Sequence, residues 1–514
     1  MFSKVKSCAV HGVDGRMIDV EADVNDGLPV FTMVGYLSSS VRESSERVRT
    51  ALKNSGFHLP PKRITINLSP ADMRKDGSGY DLAIATAVLL SLGVTAELPM
   101  EQTLVLGELS LDGSIKAIPG VLPMVICARE EGMTSCIVPK ENVQEAALVQ
   151  GISVIGVSSL KETMEYIQGI KEYENTNVEQ PAVDTSEYLY DIDFSDVVGQ
   201  ESIKREMEMA AAGFHNVLLT GAAGAGKSML AKRLPTILPQ MSFEESLEVT
   251  KIYSVGGMLP PEGGLIHRRP FRAPHHTISE YALIGGGRVP TPGEVSFAHY
   301  GVLFLDELPE FSKPVLEVLR QPLEDRRIRI SRVQASYEFP ADFMFVAAMN
   351  PCPCGNYPDY RRCSCTEQQI RRYQSKVSGP LLDRIDIRME VKGVKQEVLF
   401  SKQKTESSKT IRARVEQARQ MQKDRFAGTG LLFNSQLDGK NLEEYITLSE
   451  EGKRLVLQLF EEQELSVRGV HRVLKLARTI ADLAGSEEIE NAHLQEAAFY
   501  RNQDVFAKEV LYGN

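Results

Sequence analysis

Apolar residues fall in runs of two lengths over the first 170 positions. The runs at 64–67, 104–106, 135–139 and 153–156 are short, which fits strands; those at 41–55, 80–92, 121–131 and 143–150 are longer and fit helices. Their alternation predicts an α/β or α+β domain over 1–170. Residues 171–190 are acidic and polar, contain Pro181 and lack apolar periodicity, so they read as a linker. The block 191–395 holds three unbroken apolar runs, at 217–220, 302–305 and 343–349. A parallel sheet covered on both faces produces such runs. From 396 to 514 the spacing becomes helical, at 412–423, 450–461 and 466–483. The last of these carries Val467, Val470, Val473, Leu474, Ala477 and Ile480 on one stripe. The pattern predicts an α/β multidomain protein whose third part is all helical.

Composition sets limits on this picture. At 514 residues the chain is too long for one core and fits roughly three domains. Hydrophobic residues make up 42% and charged residues 25%, which is ordinary for a globular protein. A net charge of −11 argues against a uniformly basic nucleic-acid binder but leaves room for a ring or channel with a locally basic surface. Residues 1–10 hold no apolar core long enough for a signal peptide, and the longest apolar stretch, 82–92, is too short to span a bilayer. A cytoplasmic location and no membrane partner are expected. In that reducing setting, clustered cysteines point to a metal before a disulfide.

The apolar run 217–220 leads into Gly221, Ala222, Ala223, Gly224, Ala225, Gly226, Lys227 and Ser228, followed by a helical pattern from Met229. This is G-x-x-x-x-G-K-S in a strand–loop–helix setting. Glycines let backbone N–H groups wrap phosphate oxygens, Lys227 is placed to reach the β- and γ-phosphates, and Ser228 to ligate Mg²⁺. The run 302–305 ends in Asp306 and Glu307, so Asp306 can hold Mg²⁺ through water and Glu307 can polarise the attacking water. The run 343–349 ends at Asn350, either a sensor beside the γ-phosphate or a turn cap before Pro351. The expected cofactors are ATP and Mg²⁺.

These residues in this order resemble AAA+ ATPases, and more narrowly the ComM/YifB family of the magnesium-chelatase-like branch. Further matching stretches are 193–200, 270–277, 301–307, 350–355, 381–386 and 477–483, so the resemblance covers almost the whole chain. It implies an AAA+ core over 191–395 with chelatase-type insertions and a helical lid domain over 396–514. It places Val198 and Gly199 at the adenine, Arg384 at the arginine finger serving a neighbouring subunit, and Arg468 at the second sensor, with Arg472 as the alternative. A salt bridge to Asp383 or Asp386 is the plainer reading of Arg384. The resemblance also implies an insertion between Tyr253 and His299, where His275 and His276 read as structural or as a subunit contact. The first block resembles the Lon-protease fold. There Gly79 takes the place of the nucleophilic serine, with Ser78 one position early, and Leu122 takes the place of the lysine. A serine without a base is a poor nucleophile, so this domain reads as proteolytically inactive.

Cys352, Cys354, Cys363 and Cys365 form C-x-C, eight residues, C-x-C. Four thiolates suit tetrahedral Zn²⁺ in a structural role; a reduced, metal-free loop is the alternative. Arg326, Arg327, Arg329 and Arg332 surround an isoleucine-alternating stretch that reads as a hairpin before the Asn350 strand, and Arg361, Arg362, Arg371 and Arg372 flank the second cysteine pair. Such clusters fit phosphate-backbone contacts or ion pairs between subunits. The family resemblance implies a homo-oligomeric ring, a hexamer, acting on branched or single-stranded DNA in branch migration. The alternative is a chelatase-like ATPase that remodels a partner protein.

Overall fold

The computed structural model describes residues 1–172, 190–260, 264–332, 335–359, 361–393, 405–463 and 465–501, so most of the expected linker lies outside the described residues. The N-terminal part is built on a seven-stranded mixed sheet. Its order is Val30–Val34, Arg63–Ser69, Asp14–Asn25, Phe2–His11, Thr103–Val105, Ser135–Pro139, Ser153–Val157. Four of these match the short apolar runs. The long antiparallel pair Phe2–His11 and Asp14–Asn25 was not anticipated. Ile18, Val20, Ala22 and Val24 alternate inward with Asp19, Glu21 and Asp23 turned outward, the period-two pattern of a strand with one covered face. Helices Ser39–Asn54, Asp81–Ser91 and Val121–Glu130 lie where expected. The helix expected at 143–150 shrinks to Val143–Ala146 and ends in turns.

The ATPase sheet has five parallel strands in the order Phe271–Arg272, Val302–Leu305, Met344–Met349, Val217–Thr220, Ile387–Glu390. The three expected apolar runs are its three central strands, and the buried pattern follows from the pleat. Val217, Leu219, Phe304, Val346 and Ala348 pack on one face with the C-terminal helices; Leu218, Leu303, Leu305, Phe345 and Ala347 pack on the other. With neither face wet, alternation disappears from the sequence. Between strands Phe271–Arg272 and Val302–Leu305 the chain makes short helices Glu280–Ile284 and Glu294–Phe297 and a small ribbon, Gly285–Gly286 with Thr291–Pro292, within the stretch 253–299.

The C-terminal part is helical as expected, with Ser408–Arg425, Glu450–Glu462 and Val467–Leu483 joined by Gly439–Tyr445 and Asn491–Arg501. The stripe on Val467–Leu483 is only partly core: Val473, Leu474, Ala477 and Ile480 are buried, while Val467 is exposed. Its order rests on a buried ionic knot. Asp482, with no exposed side-chain surface, accepts from Arg425 Nη2 at 2.5 Å, Asn434 Nδ2 at 2.8 Å and Arg478 Nε at 3.1 Å. Removing one member of such a knot strands the others. Asp482→Ala is expected to destabilise this part by roughly 3–5 kcal/mol, read by chemical denaturation. A change below about 1 kcal/mol is the value of an exposed pair and would contradict the role assigned to the knot.

Candidate active site

Strand Val217–Thr220 delivers Gly221 against the edge of its neighbour, where a Cβ would lie 2.2 Å from the Val391 carbonyl oxygen. Gly224 and Gly226 take φ of +77° and +95°, which a side chain would oppose, and the helix Lys227–Arg233 starts at once. Lys227 folds back into the loop. Its Nζ donates to Gly221 O at 2.7 Å, Ala222 O at 2.9 Å and Asn350 Oδ1 at 2.9 Å. Burial pushes its ammonium below the ordinary lysine range, and the charges of Asp306 and Glu307 oppose that shift without cancelling it. A buried cation held by neutral acceptors favours an anion. The residues therefore fit a nucleotide's phosphates, which would take the place of these carbonyl contacts.

Ser228 Oγ donates to Asp306 Oδ2 at 2.5 Å, so the two expected Mg²⁺ ligands already meet. Ser228 and Asp306 would hold such an ion, which would neutralise phosphate charge there. Glu307 turns out of the strand at φ +52°, its N–H donating to Asp306 Oδ1 at 2.9 Å, and its side chain is 60% exposed. That turn aims the carboxylate away from the sheet and toward solvent. One neighbour was not anticipated: His276 Nδ1 lies 3.9 Å from Glu307 Oε2, with its ring against His275. The stretch between strands Phe271–Arg272 and Val302–Leu305 therefore reaches the Glu307 carboxylate. Val198 and Gly199 come beside the loop because Gln200 Nε2 donates to Ala225 O at 3.3 Å and to Lys392 O at 3.0 Å. Met229 follows in the first turn of the helix.

Arg384 and Arg468 are not part of this group. They line a separate cleft of about 440 Å³ with Arg472, Lys475 and Asp386. Arg384 Nη2 pairs with Glu324 Oε1 at 2.5 Å, and Arg468 Nη1 lies 3.6 Å from the same oxygen. The partner is thus Glu324, and neither Asp383 nor Asp386, the neighbours considered from sequence. Asp386 serves the fold: burial alone would raise its carboxyl, but His215, Arg472 and Lys475 hold it well below the usual carboxylate range. Asn216, at the foot of the phosphate-loop strand, accepts from Phe345 N at 2.9 Å and donates to Arg384 O at 2.9 Å. The two arginines and the loop strand are therefore mechanically joined although they face different clefts.

The four cysteines converge, with all four Sγ atoms within 4.8 Å of one another and three of the separations at 3.4, 3.6 and 3.7 Å. A tetrahedral ion with metal–sulfur bonds of about 2.3 Å sets its sulfurs roughly 3.8 Å apart, so the cluster fits Zn²⁺. The loop touches the nucleotide site directly. A Cβ on Gly355 would meet Ala223 at 3.3 Å, and Gln374 Nε2 donates to Pro351 O at 3.0 Å. Arg361, Arg362, Arg371 and Arg372 are exposed around it.

In the N-terminal part Ser78 Oγ donates to Glu108 Oε2, and Leu122 is fully buried with its N–H on Glu145. The nearest lysine in sequence, Lys75, is buried and donates to Pro70 O. No lysine contacts Ser78 among the described residues.

Strand order, phosphate loop, paired acids and sensor asparagine together define an AAA+ ATPase. The comparisons narrow the class. Three family models match in succession: "Subunit ChlI of Mg-chelatase" at 20–142, "Magnesium chelatase, subunit ChlI" at 193–399 and "Magnesium chelatase, subunit ChlI C-terminal" at 405–501. Competence protein ComM of Haemophilus influenzae is 40% identical over 503 residues, 97% of each chain, and the uncharacterised protein YifB of Escherichia coli is 40% identical over 506 residues, 98% of this chain and 97% of that one. Lon protease 2 of Bacillus subtilis is 30% identical over 183 residues, 32% of each. The chain belongs to the ComM/YifB family of magnesium-chelatase-like AAA+ ATPases. Among the described residues no helix is long and apolar enough to cross a membrane.

Glu307→Gln is expected to keep nucleotide affinity while slowing ATP turnover at least about 100-fold, the contribution of a general base; Lys227→Ala is expected to lose both. Turnover of Glu307→Gln at the parent rate would remove Glu307 from water activation.

Proposed function

We propose that the chain assembles as a closed homo-oligomeric ring, a hexamer, whose ATP hydrolysis moves branched or single-stranded DNA, as branch migration in recombination or natural transformation requires. The observation that carries this reading is the hairpin Arg327–Ser331 with Ser336–Pro340, which runs into the strand ending at Asn350. Arg329 pairs with Glu338 at 2.8 Å, and Arg327 with the same carboxylate at 3.0 Å. These are exposed pairs, worth about 0–1 kcal/mol, so a phosphate backbone competes for them easily. Lys227 donates to Asn350, so a change at the γ-phosphate has a route through that hydrogen bond and the strand Met344–Met349 to the hairpin. The ring is supported by Arg384, which sits at Glu324 and not at this chain's own phosphate loop, so a neighbour's ATP would give it a charge to stabilise, with Arg468 on the same face. The name of the Haemophilus relative ties that protein to competence. A second reading, ATP-driven remodelling of a partner protein, is favoured by the chelatase family models matched along the chain. In that reading DNA leaves the ATPase rate unchanged.

Arg329→Ala with Arg332→Ala is expected to abolish stimulation of ATP hydrolysis by forked DNA and to flatten the salt dependence of DNA binding by about 0.7–0.9 in log–log slope per lost phosphate contact. Unchanged stimulation and slope would take the hairpin out of the mechanism.

We also propose that the cysteine quartet holds one structural Zn²⁺. Four thiolates leave no open position for catalysis, and the loop's contact with Ala223 gives the ion a role in shaping the phosphate loop. Elemental analysis of protein purified without added metal is expected to give about one zinc per chain, lost in Cys352→Ser. A metal-free protein with full ATPase activity would leave the quartet an ordinary reduced loop.

A further inference from the structure

The N-terminal domain abuts the hairpin. Gly12, at φ +69°, comes so close that a Cβ would lie 2.9 Å from the Glu338 carbonyl oxygen, and the His11 ring stacks on Tyr337 at 4.5 Å. Lys251 Nζ reaches Asp14 at 3.1 Å, and the Gly120 N–H donates to Ser254 O at 3.0 Å, so the two parts are pinned at several points. Where they meet, two adjoining clefts of about 170 and 610 Å³ share Tyr36, Arg74 and Arg288. The first also takes in Arg16, Arg332 and Tyr337; the second continues to Arg42.

The charge here runs against the chain as a whole, whose net is −11. Asp76 is neutralised by Arg74 at 3.1 Å, which leaves Asp72 and Glu43 as the acids facing the remaining guanidinium groups. Among the described residues Arg16, Arg42 and Arg288 are exposed and have no ion-pair partner, and the Arg332 guanidinium donates to Gly287 O at 3.1 Å. The floor is rigid: Lys75 N donates to Tyr36 O at 2.9 Å and Ser38 N to Lys75 O at 3.0 Å. A groove with unpaired arginines, two tyrosine rings on its wall and a fixed floor matches the needs of an unpaired nucleic-acid strand. The cations take the phosphates and the rings take bases that a duplex would hide.

We propose that this cleft is a second nucleic-acid surface, on which the N-terminal domain receives a single strand from Arg332 of the hairpin and guides it past Arg288 and Arg74 to Arg42. The proposal rests on the DNA reading above and extends it to a domain that the Lon-like sequence left without a role. It also accounts for the close docking of that domain on the hairpin: the strand passes from one arginine-rich surface to the other, with Asp72 and Glu43 the acids beside its path.

The test uses the full chain and a fluorescein-labelled single-stranded oligothymidylate, with anisotropy titrations across a salt series. Arg16→Glu with Arg42→Glu is expected to keep the parent melting temperature, weaken binding at least about tenfold and lower the log–log salt slope by about 0.7 per lost contact. An oligonucleotide carrying 5-iodouracil is expected to photocrosslink to Tyr36. A parent that binds while the double variant binds equally well, with the same slope and no Tyr36 adduct, overturns the N-terminal path and leaves the hairpin reading standing. A blunt duplex that competes as well as the single strand overturns the single-strand assignment. A parent that binds no oligonucleotide at any salt removes the DNA reading itself, and this surface with it.

Discussion

The molecule turns on one buried ammonium. Lys227 is pulled into the phosphate loop, held by two carbonyls and an amide, and pushed toward neutrality by its surroundings. Neutral acceptors compensate a buried charge poorly, so the loop is arranged around an anion that ATP supplies. The amide among its partners belongs to Asn350, the last residue before the cysteine loop and the first after the strand that the arginine hairpin feeds. One side chain thus ties together nucleotide, cysteine cluster and hairpin.

A second tie crosses the sheet. Asn216 bridges the sensor strand at Phe345 and the backbone of Arg384. Glu324, close before the hairpin, holds Arg384 and draws Arg468 to the same oxygen. Glu324 lies in the helix Arg320–Asp325 that leads into Arg327, so the seat of Arg384 and the hairpin share one short segment. The cleft that holds Arg384 and Arg468 is therefore linked to the phosphate loop through packed strands.

Much of this was legible in the sequence. Apolar runs that end in Gly221, Asp306 and Asn350 named the three central strands, because a sheet covered on both faces leaves no polar alternation to confuse them. Ile328 and Ile330, inward between arginines, marked the hairpin. The first hairpin of the chain was missed although Ile18, Val20, Ala22 and Val24 alternate with Asp19, Glu21 and Asp23 in the same period-two pattern. The seat of Arg384 was not legible at all, since Glu324 lies 60 residues before it and the pairing depends on how the strand Ile387–Glu390 docks. The same holds for His276 beside Glu307, where nothing local distinguishes a ring near a carboxylate from one in a turn.

The central claim is that nucleotide at Lys227 reaches the hairpin through Asn350. Hydrogen exchange of the amides in 327–340, measured with and without a non-hydrolysable ATP analogue in the parent and in Asn350→Ala, tests it most directly. The account predicts that the analogue changes protection of the hairpin in the parent and leaves it unchanged in Asn350→Ala, although both proteins bind the analogue. A hairpin that responds equally in both, or in neither, would contradict it.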